Sequence, residues 1–388
     1  MQLSRWPHYE EDEVNTVKRI LSSGKVNYWT GEEGKLFEKE FADYIGVKHS
    51  IALMNGTVAL EAALYGLDIG VGDEVIVPAR TFIGTASAVV KVGAKPIVAD
   101  IDILSQNITA ESAAVVLTPN TKAIIVVHLA GWPCDMDSLI TFAKKHHLKI
   151  IEDCAQATGA KYKGKYTGAF GDVAAFSFCQ DKIISTGGEG GMVVTNNLDV
   201  WKKIWSLKDH GKNYDAVNHK QHPPGFRWLV DTFGTNFRMT EMQAAIGRIQ
   251  LNKLNDWLAL RKRNAALLTE CFLRIPAARV AMPHSQIDHA YYVYYAFVEP
   301  QKLKSDWTRD RILEAINAEN IPCIVGSCGE IYLEQAFQNA NLQPSARLPN
   351  AQHLAETSLM FQVHPTLTLQ EINFVTKVIE NVFQLASK

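Results

Sequence analysis

The chain has too few cysteines for a disulfide framework: six in 388 residues, at 134, 154, 179, 271, 323 and 328. They lie mostly inside apolar runs, and a chain this long needs no covalent staples, so reduced thiols are expected. Cys323 and Cys328 have neither the spacing nor the histidine neighbours of a standard zinc site. No apolar run approaches the ~20 residues of a membrane span. The first residues, Met-Gln-Leu-Ser-Arg-Trp-Pro, carry no basic-then-apolar signal. A soluble cytoplasmic protein, without a membrane partner, is expected. An excess charge of one sign is missing too. Lys and Arg number 39 against 41 Asp and Glu, a formal net charge of -2, with no basic stripe for nucleic acid. The cluster Arg261-Lys262-Arg263 reads as a solvated helix face, as do His146 and His147. Internal repeats and low-complexity tracts are absent.

What is present is ordinary globular composition, 47% hydrophobic and 21% charged, enough for one large domain and a smaller one. Residues 1–34 read as an arm with a helix over 9–22, suited to packing on a partner subunit. Thr30-Gly31-Glu32-Glu33 reads as a capping box opening a helix with Leu36, Phe37, Phe41, Tyr44 and Ile45 on one face. Short apolar strands then recur at 51–54, 74–77, 96–99, 123–127, 149–152, 173–178 and 192–194. Helical segments at 58–65, 84–92, part of 103–116 and 136–146 separate most of them. Strands apolar throughout and joined by helical crossovers predict an α/β fold, a mostly parallel seven-stranded sheet between helices. Beyond residue 197 come a helix at 201–208, a polar loop at 210–224 and a long helix at 239–273. The domain boundary is placed inside that helix. Residues 1–255 form the arm and large domain. Residues 256–388 form a smaller α+β domain with a strand at 291–297, a helix at 308–317 and a final helix at 369–385.

Chemistry concentrates in residues 176–195, where Ser177 and Lys182 follow a buried strand and precede Gly187, Gly188, Gly190 and Gly191. A lysine between two core strands either snorkels to water or does chemistry. An amine shielded from water favours its neutral form, and a neutral amine forms a Schiff base with an aldehyde. The stretch fits both pyridoxal phosphate on Lys182 and a surface lysine on a glycine-rich loop. Parallel sheets bind ligands at strand C-terminal ends, so the other loops matter. Gly56-Thr57 opens an Ala-rich helix, as a phosphate cradle or a plain N-cap. Phe82 follows the second strand, as a stacking ring or as core. Asp153 follows the fifth, as a partner for a pyridinium N–H or as a helix cap, with Gln156 three residues on in reach of a ring hydroxyl. Taken together, the four loops hold the inventory of a pyridoxal phosphate site.

These stretches resemble the DegT–StrS family of sugar aminotransferases. The resemblance runs from Tyr28-Trp29-Thr30-Gly31 to about Leu251 and more loosely beyond. It rests on Asn-Gly-Thr-Val-Ala-Leu (55–60), Gly-Asp-Glu-Val-Ile-Val-Pro (72–78), Glu-Asp-Cys-Ala-Gln-Ala (152–157), Phe-Ser-Phe-(x)3-Lys (176–182), His-Gly (210–211) and Asn-Phe-Arg-Met-Thr-Glu-Met-Gln-Ala-Ala (236–245). It implies the aspartate aminotransferase scaffold, fold type I. It also implies Lys182 as Schiff-base lysine and proton shuttle, Asp153 on the pyridine nitrogen, Gln156 on the phenolic oxygen, Phe82 stacked on the ring, and Gly56, Thr57 and Ser177 on the phosphate. Asn236 would reach the phosphate of the neighbouring subunit, making a homodimer part of the site, and Arg238 is a substrate or structural contact. The implied reaction moves an amino group from L-glutamate, through pyridoxamine phosphate, to a keto group on a nucleotide-linked 6-deoxy sugar. A glutamine-dependent keto-cyclitol aminotransferase is the alternative. Relatives that are sugar dehydratases carry His at the position of Lys182. A non-catalytic regulator would have lost Lys182 or Asp153. Two stretches depart from the family: the loop after Lys182 is one residue longer, and Val-Gly-Ser-Cys-Gly-Glu-Ile-Tyr (325–332) replaces a Pro-Leu-His-like stretch near the substrate entrance.

Overall fold

Each of the seven apolar runs forms a strand, within two residues of the expected bounds: β1 (His49–Leu53), β2 (Glu74–Pro78), β3 (Lys95–Ala99), β4 (Thr121–Val127), β5 (Lys149–Asp153), β6 (Val173–Ser177) and β7 (Gly191–Thr195). This computed structural model describes residues 1–221 and 228–388, so residues 222–224 of the expected polar loop lie outside the described residues. The strands make one sheet in the order β1-β7-β6-β5-β4-β2-β3. Only β7 runs against the others, pairing antiparallel with β1 and β6, while the remaining pairings are parallel. Every residue of β6 is buried, as a strand covered on both faces requires.

Helices α1 (Glu11–Ser23), α2 (Glu33–Ile45), α3 (Gly56–Gly66), α4 (Gly84–Lys91), α5 (Ala110–Val116), α6 (Met136–His146), α7 (Leu198–Lys208), α8 (Tyr214–Asn218) and α9 (Glu241–Leu273) accompany the sheet. On one face Leu60, Ala63, Val89 and Ile204 pack on Ile51, Val75 and Ile125. On the other, Phe37 and Phe41 of α2 meet Phe176 and Phe178 at ring separations of 4.9 to 5.5 Å. Each such buried ring contributes roughly 1.5–3 kcal/mol by transfer. The short helix α8 interrupts the expected polar loop.

Two expectations are corrected. Thr30 does not cap α2. Its hydroxyl donates to the Asn27 carbonyl, and Glu32 occupies the cap position without a side-chain cap. The Glu33 and Gly34 amides instead donate to the Glu241 carboxylate, at 2.6 and 3.0 Å. A charged acceptor from the first turn of α9 meets the positive end of α2, so the local cap is not needed. Arg261 is not on a solvated face either, since it is 1% exposed. Its Nη1 donates to the Tyr292 carbonyl at 3.1 Å, its charge lies 5.2 Å from the Trp6 ring centre, and burial pushes it down to about 9. Lys262 keeps an outward ion pair with Asp288.

The cause is the course of α9. Its residues Leu251, Leu254 and Leu258 belong to the core under the large sheet, whereas Ala265, Leu268 and Phe272 belong to a second core with Phe361, Ile379 and Phe383. Arg261 falls where the helix passes from one core to the other. The second core underlies a four-stranded sheet, β8 (Ala278–Arg279), β9 (Tyr294–Val298), β10 (Cys323–Ile324) and β11 (Ser358–Phe361), in the order β8-β9-β11-β10. Helices α10 (Arg309–Ala318), α11 (Gln335–Ala340), α12 (Pro349–Thr357) and α13 (Leu369–Ala386) complete this region. The arm packs on its own chain: Lys253 of α9 holds Glu10, Asp12 and Glu13 of the arm at 2.8 to 3.0 Å. All six cysteines are free. Among the described residues no helix is long and apolar enough to cross a membrane.

Candidate active site

Where β1, β2, β5 and β6 end, a cavity of about 650 Å³ opens between the large sheet and the small one. Gly56, Thr57, Phe82, Asp153, Gln156, Ser177 and Lys182 all line it, and Asn236 does not. The turn after β1 is built by Asn55, whose side chain accepts from the Val58 amide at 3.0 Å and caps α3. The amides of Gly56 and Thr57 in that first turn have no helix carbonyl to bond and carry the positive end of the helix. Gly56 has to be glycine, because a Cβ there would lie 2.6 Å from the Ser177 Cβ. That contact draws the start of α3 against the end of β6, so its amides and the Ser177 hydroxyl share one corner.

Asp153 ends β5 and is 4% exposed. Its Oδ1 accepts from the Ala155 amide at 3.1 Å and its Oδ2 from the Thr85 hydroxyl at 2.9 Å, so both oxygens are oriented. Thr85 in turn meets the Thr81 hydroxyl at 2.8 Å. Burial pushes the Asp153 carboxyl above the ordinary carboxylate range, and the Ala155 amide, the Thr85 hydroxyl and the Lys182 charge oppose that push. Beneath it, Glu152 is fully buried. It accepts from the Gly168, Phe170 and Gly171 amides at 2.7 Å and meets His128 Nε2 at 3.1 Å. Because His128 Nδ1 accepts from the Cys134 amide, Nε2 carries the ring proton. Burial raises Glu152, but these donors bring its carboxyl below the usual range. Gln156 Oε1 accepts from the Ala130 amide at 2.7 Å, which fixes the side chain that faces the cavity. Phe82 is 61% exposed and lies over Gly84. It is therefore a ring at the cavity wall rather than core.

Lys182 follows β6 and lies largely out of water, with 16% of its side chain exposed. Its backbone carbonyl accepts from Trp6 Nε1 of the arm at 2.8 Å. Its amine donates to the Tyr292 hydroxyl at 3.2 Å and lies 3.4 Å from Asp181 Oδ2. The glycine-rich turn beyond it permits close approach, though to the chain's own backbone. At Gly191 a Cβ would lie 2.3 Å from the Asn55 carbonyl oxygen. Asn236 pairs with Asp209 and accepts from the Arg238 amide, next to a bridge between Arg238 and Leu53 at the sheet edge. Arg238 forms an ion pair with Asp209 at 2.6 Å. Of the departing segment 325–332, Gly326 and Ser327 face the cavity.

Sequence reasoning missed Thr81, Thr85, Trp6, Asp181 and Tyr292. The four-residue spacing of Thr81 and Thr85 across a helix start was the one local signal. Tyr292 stands 110 residues from Lys182 and gave none.

A model of the DegT/DnrJ/EryC1/StrS aminotransferase family matches residues 7–382. The fold superimposes on the crystal structure of an aminotransferase from Psychrobacter cryohalolentis with a TM-score of 0.97 and 52% identity, covering 98% of this chain and 99% of that one. GDP-perosamine synthase of Caulobacter vibrioides is 41% identical over 76% of each chain. The UDP-N-acetyl-3-dehydro-alpha-D-glucosamine 3-aminotransferase of Acidithiobacillus ferrooxidans is 35% identical over 95% of this chain and 93% of its own.

Proposed function

The chain belongs to the DegT/DnrJ/EryC1/StrS aminotransferase family, and from that premise we propose that its cavity moves an amino group from L-glutamate to a keto carbon of a nucleotide-linked, 6-deoxy sugar. The enzyme is a pyridoxal phosphate-dependent aminotransferase of fold type I. The bound cofactor supplies an aldehyde that takes up the amino group and a ring that accepts the electrons released at the substrate carbon.

The residues present fit that group. The observation that carries the assignment is the convergence, in one cavity, of a shielded amine (Lys182), an oriented buried carboxylate (Asp153) and a free helix start (Gly56-Thr57) beside a hydroxyl (Ser177). Lys182 would bond the cofactor and, once released, hold and move the proton at its Nζ. Asp153 would face the ring nitrogen, with its charge supported by Thr85 and Ala155. Gln156 would contact the phenolic oxygen and Phe82 would cover the ring face. The α3 amides, Thr57 and Ser177 would hold the phosphate. Asn236, outside its own cavity and beside the sheet edge, is assigned to the phosphate of a partner subunit in a homodimer. The same reading divides the chain near residue 255 and places the protein in the cytoplasm.

The relatives named above carry GDP-linked and UDP-linked sugars in their names, which supports a nucleotide sugar as acceptor. The decisive measurement is the absorbance of the protein with pyridoxal phosphate, before and after L-glutamate. Loss of the lysine-bound band, with gain of the pyridoxamine band, is expected. A spectrum that glutamate leaves unchanged overturns the donor assignment, and glutamine with a keto-cyclitol is then tested.

A further inference from the structure

The Lys182 amine makes two contacts that the assigned roles leave unused. Its Nζ donates to the Tyr292 hydroxyl at 3.2 Å and lies 4.7 Å from the centre of the Tyr292 ring. The Tyr292 hydroxyl in turn donates to Asp181 Oδ2, and that oxygen is 3.4 Å from Nζ. The three groups close a triangle on the cavity wall, all of them lining it.

Tyr292 is held in place from outside the lysine loop, and it in turn holds Asp181. The Tyr292 amide donates to the Ala130 carbonyl at 2.9 Å, and its own carbonyl accepts from buried Arg261. Arg261 also lies against the Trp6 ring, and the Trp6 indole donates to the Lys182 carbonyl. The backbone and the amine of Lys182 are thus tied, through Trp6 and Tyr292, to one buried arginine. The charges add up in the same direction. Burial raises Asp181, but the Lys182 charge and the Tyr292 hydroxyl bring its carboxyl below the ordinary range, so it stays ionised. Burial and the neighbouring Asp181 push the Tyr292 phenol well up, so it remains a neutral donor.

We propose that Asp181 and Tyr292 form a seat that holds the Lys182 amine whenever that amine is not bonded to the cofactor. The idea rests on the assignment of Lys182 above. In each turnover the released lysine has to stay within reach of the reacting carbon while it carries a proton. A long, flexible side chain without a partner would be spread over many rotamers. The seat restricts it with one neutral hydrogen bond and one charge, the aromatic face adding to both. Asp181 and Tyr292 are positioning residues in this scheme. The titratable groups that line the cavity with Lys182 are Asp181 and Cys179 on its own loop, Glu189 across the glycine turn, Asp153 at the end of β5, and Tyr292 and Tyr295 from the far wall.

The test uses the full-length protein, stripped of cofactor, as wild type, Asp181→Asn and Tyr292→Phe. Both substitutions keep the side-chain shape, and thermal melts verify folding. Two quantities are read: the rate at which added pyridoxal phosphate becomes lysine-bound at one fixed pH, and the single-turnover rate with L-glutamate. The seat has to release the amine before it can bond the cofactor, so its loss has opposite effects on the two. Asp181→Asn speeds loading by about threefold, the strength of one partly exposed ion pair that no longer has to break. The same variant slows the glutamate step by about tenfold, because the released amine is no longer held. Tyr292→Phe slows the glutamate step similarly and speeds loading less. Variants within twofold of wild type in both quantities overturn the seat, and so do variants that slow both together. A wild type that never becomes lysine-bound overturns the assignment of Lys182 itself and the seat with it.

Discussion

The two walls of the cavity are built on different principles. The large-domain wall consists of strand ends: Asn55–Thr57 after β1, Thr81–Thr85 after β2, Asp153–Gln156 at β5, and Ser177–Lys182 after β6. Each is a short polar turn into a helix or tight loop, placed directly at the end of an apolar strand. Local bonds such as Asn55 to Val58 and Asp153 to Ala155 hold these turns, together with bonds between strand ends such as Thr85 to Asp153. The opposite wall is made by Tyr292, Tyr295, Ile324, Ser327 and Met360, brought in from three strands and their loops. Long-range ties hold it. Arg80, buried at the end of β2, donates from Nε to Gln106 and from Nη2 to Ser358 of β11, with its charge 5.2 Å from the Tyr295 ring centre. Tyr295 accepts the Ser327 amide at 3.0 Å. The comparison separates a wall suited to one invariant group from a wall that can change its substrate without disturbing that group.

If that division is right, changes to the first wall and to Tyr292, which meets Lys182, act on both half-reactions, and changes to the rest of the second wall act on one. The largest effect is expected for Asp153→Asn. Loss of the oriented charge slows the glutamate and the acceptor half-reactions alike, by roughly 10²- to 10⁴-fold, in single-turnover assays. Stability moves the other way. Folding raises the carboxyl of Asp153, so its contribution is present below the unfolded value and is lost as pH rises through the folded one. The cofactor-free Asn variant is therefore expected to equal wild type at low pH and exceed it at neutral pH in denaturant melts. Equal melts at both pH values would show that Thr85 and Ala155 cancel the burial fully.

Gly56→Ala comes next. The added Cβ meets Ser177 at 2.6 Å, and the start of α3 has to move away from β6. A cost of about 1–3 kcal/mol in stability is expected, with phosphate affinity lowered about tenfold. Cofactor titration followed by fluorescence measures it. Unchanged affinity would remove the first turn of α3 from the cradle.

The legibility of the sequence follows the same division. Strand ends in a parallel sheet are fixed by local pattern, so a residue just past an apolar run has a known place, and the positions of Asp153 and Lys182 at the cavity were legible that way. Arg261 was misread because its burial depends on where a 33-residue helix crosses between two cores, which no local window records. Thr30 was misread because the acceptor it was expected to provide comes from Glu241, 207 and 208 residues from the amides it serves. Tyr292 was invisible for the same reason. Contacts made by docking leave no period in the sequence.

The smallest effect gives the sharpest test of the division. Ser327 belongs to the segment that departs from the family pattern, lines the cavity, and is held through its backbone amide on Tyr295. Because the backbone makes that contact, Ser327→Ala removes only the hydroxyl and leaves the wall in place. One lost hydrogen bond to a sugar corresponds to about 2- to 10-fold in KM. The loss is expected for the acceptor sugar alone, with the glutamate half-reaction and the lysine-bound spectrum unchanged. An equal loss in both half-reactions would mean that glutamate and the sugar use the same contact, and the far wall would then share in the common chemistry rather than select the acceptor.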